Sequence, residues 1–129
     1  MNRNLAFYGI VVFFFTSSSF CSSQEFTKNQ RRQVIQAVDN TCADSWCEGD
    51  YDYEFLDFVC NRTGDTCDLI FQFISVDDEV EKRSPPQTCH FINIAKLEQV
   101  LDDNKRLKMD FYDSLDSCIS NLEDAFDKT

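Results

Sequence analysis

Apolar residues recur at intervals of three or four in two stretches of the chain, and each stretch predicts an amphipathic helix. The first covers residues 27–42 and starts with a capping box formed by Thr27 and Gln30. Its apolar face consists of Val34, Ile35, Val38 and Cys42. The second covers residues 110–126, with a stripe formed by Phe111, Leu115, Cys118, Ile119, Leu122 and Phe126.

The segment between these helices contains two further predicted features. In residues 77–87 a charged run gives way to Pro85 and Pro86, which lack backbone donors and fix φ, so a long loop is predicted. Residues 93–103 have a helical spacing of apolar positions and predict a shorter helix. Its apolar positions are Ile94, Leu97, Val100 and Leu101.

Residues 51–60 and 67–76 are rich in aromatic and β-branched side chains and predict a β-hairpin, with residues 61–66 as the turn. Placing Cys60 opposite Cys67 brings apolar pairs onto the same side of the ladder. These pairs are Phe58 with Leu69 and Leu56 with Phe71. The agreement between the disulfide and the apolar pairs favours this register.

The alternation in the first strand shifts by one position, which predicts a bulge near Phe55. Beyond the bulge Tyr53 faces Phe73 and Tyr51 faces Ser75, while Asp52 and Glu54 point to water. Residues 88–94 favour a third strand. The predicted fold is therefore a small disulfide-stapled α+β domain with an N-terminal helix, an antiparallel hairpin plus a third strand, and two C-terminal helices.

The first residues have the composition of a secretory signal peptide. Arg3 precedes the apolar run of residues 5–16, which is shorter than the roughly 20 residues of a membrane span, and small residues follow it. We predict a signal peptide over 1–23 and a single secreted or periplasmic domain over 24–129, without a stable membrane span after cleavage. Cleavage within residues 19–23, or lipidation of Cys21, is the alternative.

Six cysteines follow the signal peptide, an even number that predicts three disulfides in an oxidising compartment. Cys60 is predicted to pair with Cys67 across the hairpin. For the other four, we favour Cys42 with Cys47 and Cys89 with Cys118, although the crossed pairings remain open. Asn61 begins an N-glycosylation sequon in the turn.

The net charge narrows the class of partner. The chain has 23 acidic residues and 12 Lys and Arg, and loss of Arg3 with the signal peptide leaves a formal charge of −12. Duplex binding depends on neutralising phosphates with Lys and Arg, so nucleic acid is not an expected partner. An acidic protein attracts cationic partners instead. The sequence predicts no cofactor.

Residues 41–55 combine acidic side chains with the single tryptophan, Trp46. A calcium loop starting at Asp44 is not predicted, because Trp46 and Phe55 occupy positions that need oxygen ligands. A tryptophan surrounded by carboxylates is instead typical of an anchor and rim for a basic protein or peptide. The candidate partner-binding residues are Asp44, Trp46, Glu48, Asp50 and Asp52.

Catalytic chemistry has weaker support in the sequence. His90 is the only histidine, and no nucleophile motif accompanies it. Neighbouring carboxylates are numerous, and a pair of them at the right separation is the requirement for glycoside hydrolysis. We therefore expect a non-enzymatic binding or inhibitor module for a cationic partner, with a small carboxylate-dependent hydrolase as the alternative.

Overall fold

The computed structural model describes residues 26–61 and 65–128, so the predicted signal peptide, Cys21 and the centre of the hairpin turn lie outside the described residues. Within these ranges no helix has the length and apolar character needed to cross a membrane. In chain order the elements are α1 (Lys28–Ala43), β1 (Asp52–Cys60), β2 (Cys67–Asp77), β3 (Val80–Arg83), β4 (Gln87–Phe91) and α2 (Met109–Asp127). Short 3₁₀ turns cover Trp46–Glu48 and Leu97–Gln99.

α1 begins at the predicted capping box. Thr27 Oγ1 accepts a hydrogen bond from the Gln30 amide (3.1 Å), and Gln30 Oε1 accepts one from the Thr27 amide (2.9 Å). These bonds satisfy amide groups that would otherwise lack a partner at the helix start, so the first turn is fixed. The predicted apolar face lies in the core through Val34, Val38, Cys42 and, in part, Ile35.

β1 and β2 pair in the predicted register next to the turn and again beyond the bulge. Cys60 lies opposite Cys67, and the ladder is shifted by one residue between Phe55 and Asp57, which confirms the bulge. The predicted pairs of Phe58 with Leu69 and Tyr53 with Phe73 are also present. The pair of Cys60 with Cys67 holds the strands in register on the turn side of the bulge, and the pair of Tyr53 with Phe73 holds them in register on the other side.

Two pairs of the predicted register are wrong. Phe55 rather than Leu56 lies opposite Phe71, and Leu56 is the additional residue of the bulge, with 43% of its surface exposed. Burying the larger Phe55 ring removes more apolar surface from water, so the bulge falls on the smaller side chain. The ladder ends at Asp52, and Tyr51 is consequently not paired with Ser75.

The loop predicted over residues 77–87 is only partly correct, because β3 lies within it. Asp78 and Glu79 both adopt positive φ (49° and 64°), the backbone of a two-residue hairpin turn, and β3 then pairs with β2. Pro85 and Pro86 separate β3 from β4, which also pairs with β2 and confirms the third strand. Ser84 keeps this connection attached to β2, since its Oγ accepts a hydrogen bond from the Phe73 amide (2.9 Å).

The short helix predicted over residues 93–103 is wrong, since only the 3₁₀ turn Leu97–Gln99 forms there. Asn93 adopts a left-handed φ of 61°, and Leu101 forms an isolated β-bridge with Leu107. The apolar side chains are still buried, at Ile94, Val100 and Leu101. Their spacing therefore reflects anchoring of a loop to the core and not a helical face.

Both helices cover the same face of the sheet. The buried side chains of the strands belong to one cluster with those of α1 and α2, which includes Phe58, Phe71, Phe73, Leu115 and Ile119. Three disulfides join the elements in the pairing that the sequence favours. We call them the corner disulfide (Cys42–Cys47), the hairpin disulfide (Cys60–Cys67) and the β4–α2 disulfide (Cys89–Cys118), with Cα–Cα distances of 5.1, 4.0 and 5.9 Å.

Candidate functional site

The candidate binding residues follow the end of α1, where the chain turns toward β1. The amide of Asp44 donates to the Thr41 carbonyl (3.2 Å) at the helix end. The corner disulfide then links α1 to the turn Trp46–Glu48, which limits the conformations of this connection. We call residues 44–51 the corner. Its exposed carboxylates belong to Asp44, Glu48 and Asp50.

Trp46 is held against α2 by two contacts. Its Nε1–H donates to Asp116 Oδ1 (2.6 Å), and its ring stacks on Tyr112 with the centroids 5.5 Å apart. Since its polar atom is satisfied and one ring face is occupied, Trp46 has a defined orientation. It remains partly exposed beside the acidic side chains of the corner.

Tyr51 and Tyr53 make two further contacts with α2. The Tyr51 hydroxyl donates to Asp127, and the Tyr53 hydroxyl donates to Glu123 Oε2 at 2.7 Å. The hydrogen bond to Asp127, followed by desolvation, raises the pKa of Tyr51 to about 12. Burial, followed by the hydrogen bond to Glu123, raises the pKa of Tyr53. Both hydroxyls therefore stay protonated and continue to donate above the ordinary pKa of tyrosine, 10.0.

Asp52 lies apart from the other candidate residues. It precedes Tyr53 in β1, and consecutive side chains of a strand point to opposite faces of the sheet. Because Tyr53 faces α2, the exposed Asp52 lies on the outer face of the sheet. The structure brings together Asp44, Trp46, Glu48 and Asp50, and separates Asp52 from them.

Carboxylates from two distant parts of the chain meet at the corner. We define the acidic surface as Asp44, Glu48, Asp50, Asp116, Glu123 and Asp127. Residues 44–53 and 109–127 contain no Lys or Arg. None of the six carboxylates forms an ion pair with a residue in the described part of the chain. The surface therefore keeps its negative charge while hydrogen bonds fix three of its members.

Sequence reasoning missed Asp116, Glu123 and Asp127. Their aromatic partners are 70 to 76 residues away in the sequence, so no local pattern connects them. The available signal was the absence of basic residues from the second amphipathic helix, which leaves its polar face wholly acidic or neutral. That composition marks the helix as part of a negative surface without indicating its neighbour.

The other chemical candidates lie away from the corner. His90 Nδ1 is 2.5 Å from Asp68 Oδ1, a cross-strand pair in which the histidine side chain is 59% exposed. Among residues 26–61 and 65–128, no group of three or more His, Cys, Asp or Glu side chains is arranged to hold a metal ion.

Comparison of the chain with protein families, with curated proteins and with solved structures found no match.

Proposed function

We propose that the protein is a small secreted module that binds a basic protein or peptide through the acidic surface. The observation that carries this proposal is the assembly of the surface itself. Three aromatic side chains of residues 46–53 each donate a hydrogen bond to a different carboxylate of α2. Those bonds fix the carboxylates in position without neutralising their charge.

Fixed, unpaired carboxylates favour association with a cationic partner. Six like charges on one surface repel one another, and a basic ligand relieves this repulsion as it binds. The same field increases the rate of encounter with basic partners and makes it sensitive to salt. Trp46 adds an aromatic surface of defined orientation, the type of residue that often contributes most of the binding energy at an interface.

The exposure of the corner favours binding over the alternative, a carboxylate-dependent hydrolase. Hydrolysis of a glycoside needs two carboxylates in one cleft, one of them with a raised pKa. Glu48 and Asp50 are exposed, and Asp44 is the only carboxylate among the residues that line the groove between α1 and residues 104–107. The corner thus resembles a charged docking surface more than a desolvated reaction site.

A charge-neutralising variant provides the test. We would replace Glu48 by Gln and Asp50 by Asn together, because neither side chain makes a hydrogen bond or ion pair with a described residue. A peptide of alternating Lys and Ala serves as the probe, titrated by calorimetry at low and high ionic strength. Removing two surface charges should weaken binding about fivefold at low salt and reduce its salt dependence.

The control removes the same charge elsewhere. Glu98→Gln with Asp103→Asn changes two exposed carboxylates that precede α2 and lie outside the acidic surface. Its affinity for the probe should stay within about twofold of the wild type, since only long-range, screened interactions change. Equal weakening by the two double variants would contradict the proposal, because attraction would then depend on net charge and not on this surface.

A further inference from the structure

A groove of about 1020 Å³ runs between the outward face of α1 and the segment that leads into α2. Ligand sites commonly enclose roughly 300–1,000 Å³, so the groove is large enough for an extended ligand. One side is formed by α1 and the residues just after it, from Asn29 to Ser45. The other side is formed by residues 104–107 and by Met109 and Tyr112 at the start of α2. The groove adjoins the acidic surface only at Asp44.

One wall of the groove is a row of amide side chains. They occupy Asn29, Gln33, Gln36 and Asn40, spaced four, three and four residues apart on one face of α1. Gln36 Nε2 donates to Asn40 Oδ1 (3.0 Å), so these two side chains hold each other in position. Each amide offers both donors and acceptors, which matches the alternating N–H and C=O groups of a peptide backbone.

The opposite wall is a turn with a fixed backbone. The side chain of Asp102 accepts hydrogen bonds from the amides of Asn104 (2.8 Å) and Arg106 (3.0 Å). Lys105 adopts a left-handed φ of 59°, a conformation that is unfavourable for a lysine and persists because the surrounding bonds determine it. The β-bridge between Leu101 and Leu107 closes the turn. The turn therefore holds Lys105 and Arg106 at the groove edge without requiring a ligand to order it.

The charge of the groove is opposite to that of the whole chain. Arg32, Lys105 and Arg106 line it together with a single carboxylate, Asp44, in a sequence of 12 basic and 23 acidic residues. None of the three cations forms an ion pair with a residue in the parts of the chain that the structure describes. The clustering of three cations with only one carboxylate in so acidic a protein favours a ligand that brings its own negative charge.

We propose that this groove binds an extended acidic peptide segment of a partner protein. Carboxylates of the peptide pair with Arg32, Lys105 and Arg106, and its backbone lies along the amide row. Apolar side chains of the peptide contact Met109, which is 70% exposed and can adapt its shape, and Leu107. The 16 residues of α1 are about 24 Å long, enough for about seven residues of extended chain.

The aromatic side chain in the groove favours a peptide over an anionic oligosaccharide. Ring-shaped ligands commonly pack on an open aromatic face, as bases do in nucleic-acid sites. The one aromatic residue that lines the groove is Tyr112, and one face of its ring already stacks on Trp46. The remaining apolar groups are aliphatic and suit the side chains of a peptide.

The test uses a peptide of alternating Asp, Glu and Leu as the probe, with the same peptide carrying Asn and Gln as its uncharged counterpart. Binding is followed by ¹H–¹⁵N correlation spectra of the disulfide-bonded protein. We expect shifts at the side-chain amides of Gln36 and Asn40 and at Arg106 with the acidic peptide. Lys105→Glu with Arg106→Glu should weaken binding about tenfold, because two attractions become two repulsions.

Lys82→Glu with Lys96→Glu is the control, since it changes the net charge equally at exposed sites outside the groove. It should weaken binding by about twofold or less. The proposal is overturned if both double variants weaken binding alike, if the uncharged peptide binds as tightly as the acidic one, or if the shifts lie outside the groove. Displacement of the peptide by a sulfated octasaccharide that binds the same residues more tightly would identify a glycan as the occupant and overturn it as well.

Discussion

Replacing Tyr53 by Phe removes a single hydroxyl from the contact between β1 and α2. That hydroxyl donates to Glu123 Oε2 at 2.7 Å, and a hydrogen bond to a charged group contributes about 1.5–3 kcal/mol to stability. Because Glu123 is only partly buried, water replaces some of the lost interaction, and the expected cost is about 1–2 kcal/mol. Urea denaturation at neutral pH should show a lower midpoint and an unchanged m value.

The pH dependence of this cost tests its electrostatic origin. The pKa of Tyr53 is raised in the folded state, so the folded protein holds this proton more tightly than the unfolded chain does. The resulting stabilisation is complete below about pH 10, the ordinary pKa of tyrosine, and is lost as the pH rises toward the folded-state value. The Phe variant has no such proton. The difference in unfolding free energy between wild type and variant should therefore narrow above about pH 10.

Tyr112→Phe is the matched control, because the Tyr112 hydroxyl has no hydrogen-bond partner among residues 26–61 and 65–128. This variant keeps the ring that stacks on Trp46 and should change stability by less than about 0.5 kcal/mol. Equal losses in the two variants, or a difference for Tyr53→Phe that stays constant through the alkaline range, would refute the assigned role of the contact with Glu123.

Two further predictions concern the core and the disulfides. Leu115 is fully buried, so Leu115→Asp should lower the free energy of unfolding by at least about 3 kcal/mol. Asp113→Ser, on the exposed face of α2, should lower it by less than about 0.5 kcal/mol. Similar urea midpoints for the two variants would show that the buried face of α2 is assigned wrongly. The hairpin disulfide and the β4–α2 disulfide close sequence separations of 7 and 29 residues. Replacing both cysteines of each by Ser should therefore cost about 2.4 and about 3.6 kcal/mol respectively. Peptide mapping of the native protein should recover these pairs, and a different pairing would invalidate the comparison.

The features that the sequence predicts well are those determined over short distances. The capping box of α1 needs only Thr27 and Gln30, and both of its hydrogen bonds form. The hairpin register is fixed by two cysteines separated by 7 residues and by the aromatic positions beside them. In these places local chemistry and the tertiary fold require the same arrangement, so the pattern is sufficient.

The errors arise where a local pattern fits two structures. The sequence gives little sign of β3, because Glu79 occupies a positive-φ turn position that is usually Gly, Asn or Asp. The helix predicted over 93–103 is wrong because buried loop anchors have the same spacing as a helical face. Asn93 is a weak local sign of the true structure, since Asn adopts positive φ more readily than most residues. Leu56 and Phe55 compete for the same inward position, and only packing against the rest of the core decides between them.

The two proposed sites have opposite charge and share a boundary, which limits the partners that fit both. Asp44 belongs to the acidic surface and also lines the groove, and Tyr112 connects the groove to Trp46 through their stacked rings. A partner that carries a basic segment next to an acidic one can contact both sites at once, whereas a uniformly charged partner is attracted by one site and repelled by the other. Screening weakens both attractions, so the affinity of such a mixed-charge partner should depend on salt more steeply than that of either single-charge peptide. Loss of either site by mutation should then reduce the salt dependence of the affinity to that of the remaining site. Because the two sites have opposite charge, they would also set the orientation of the partner across the corner.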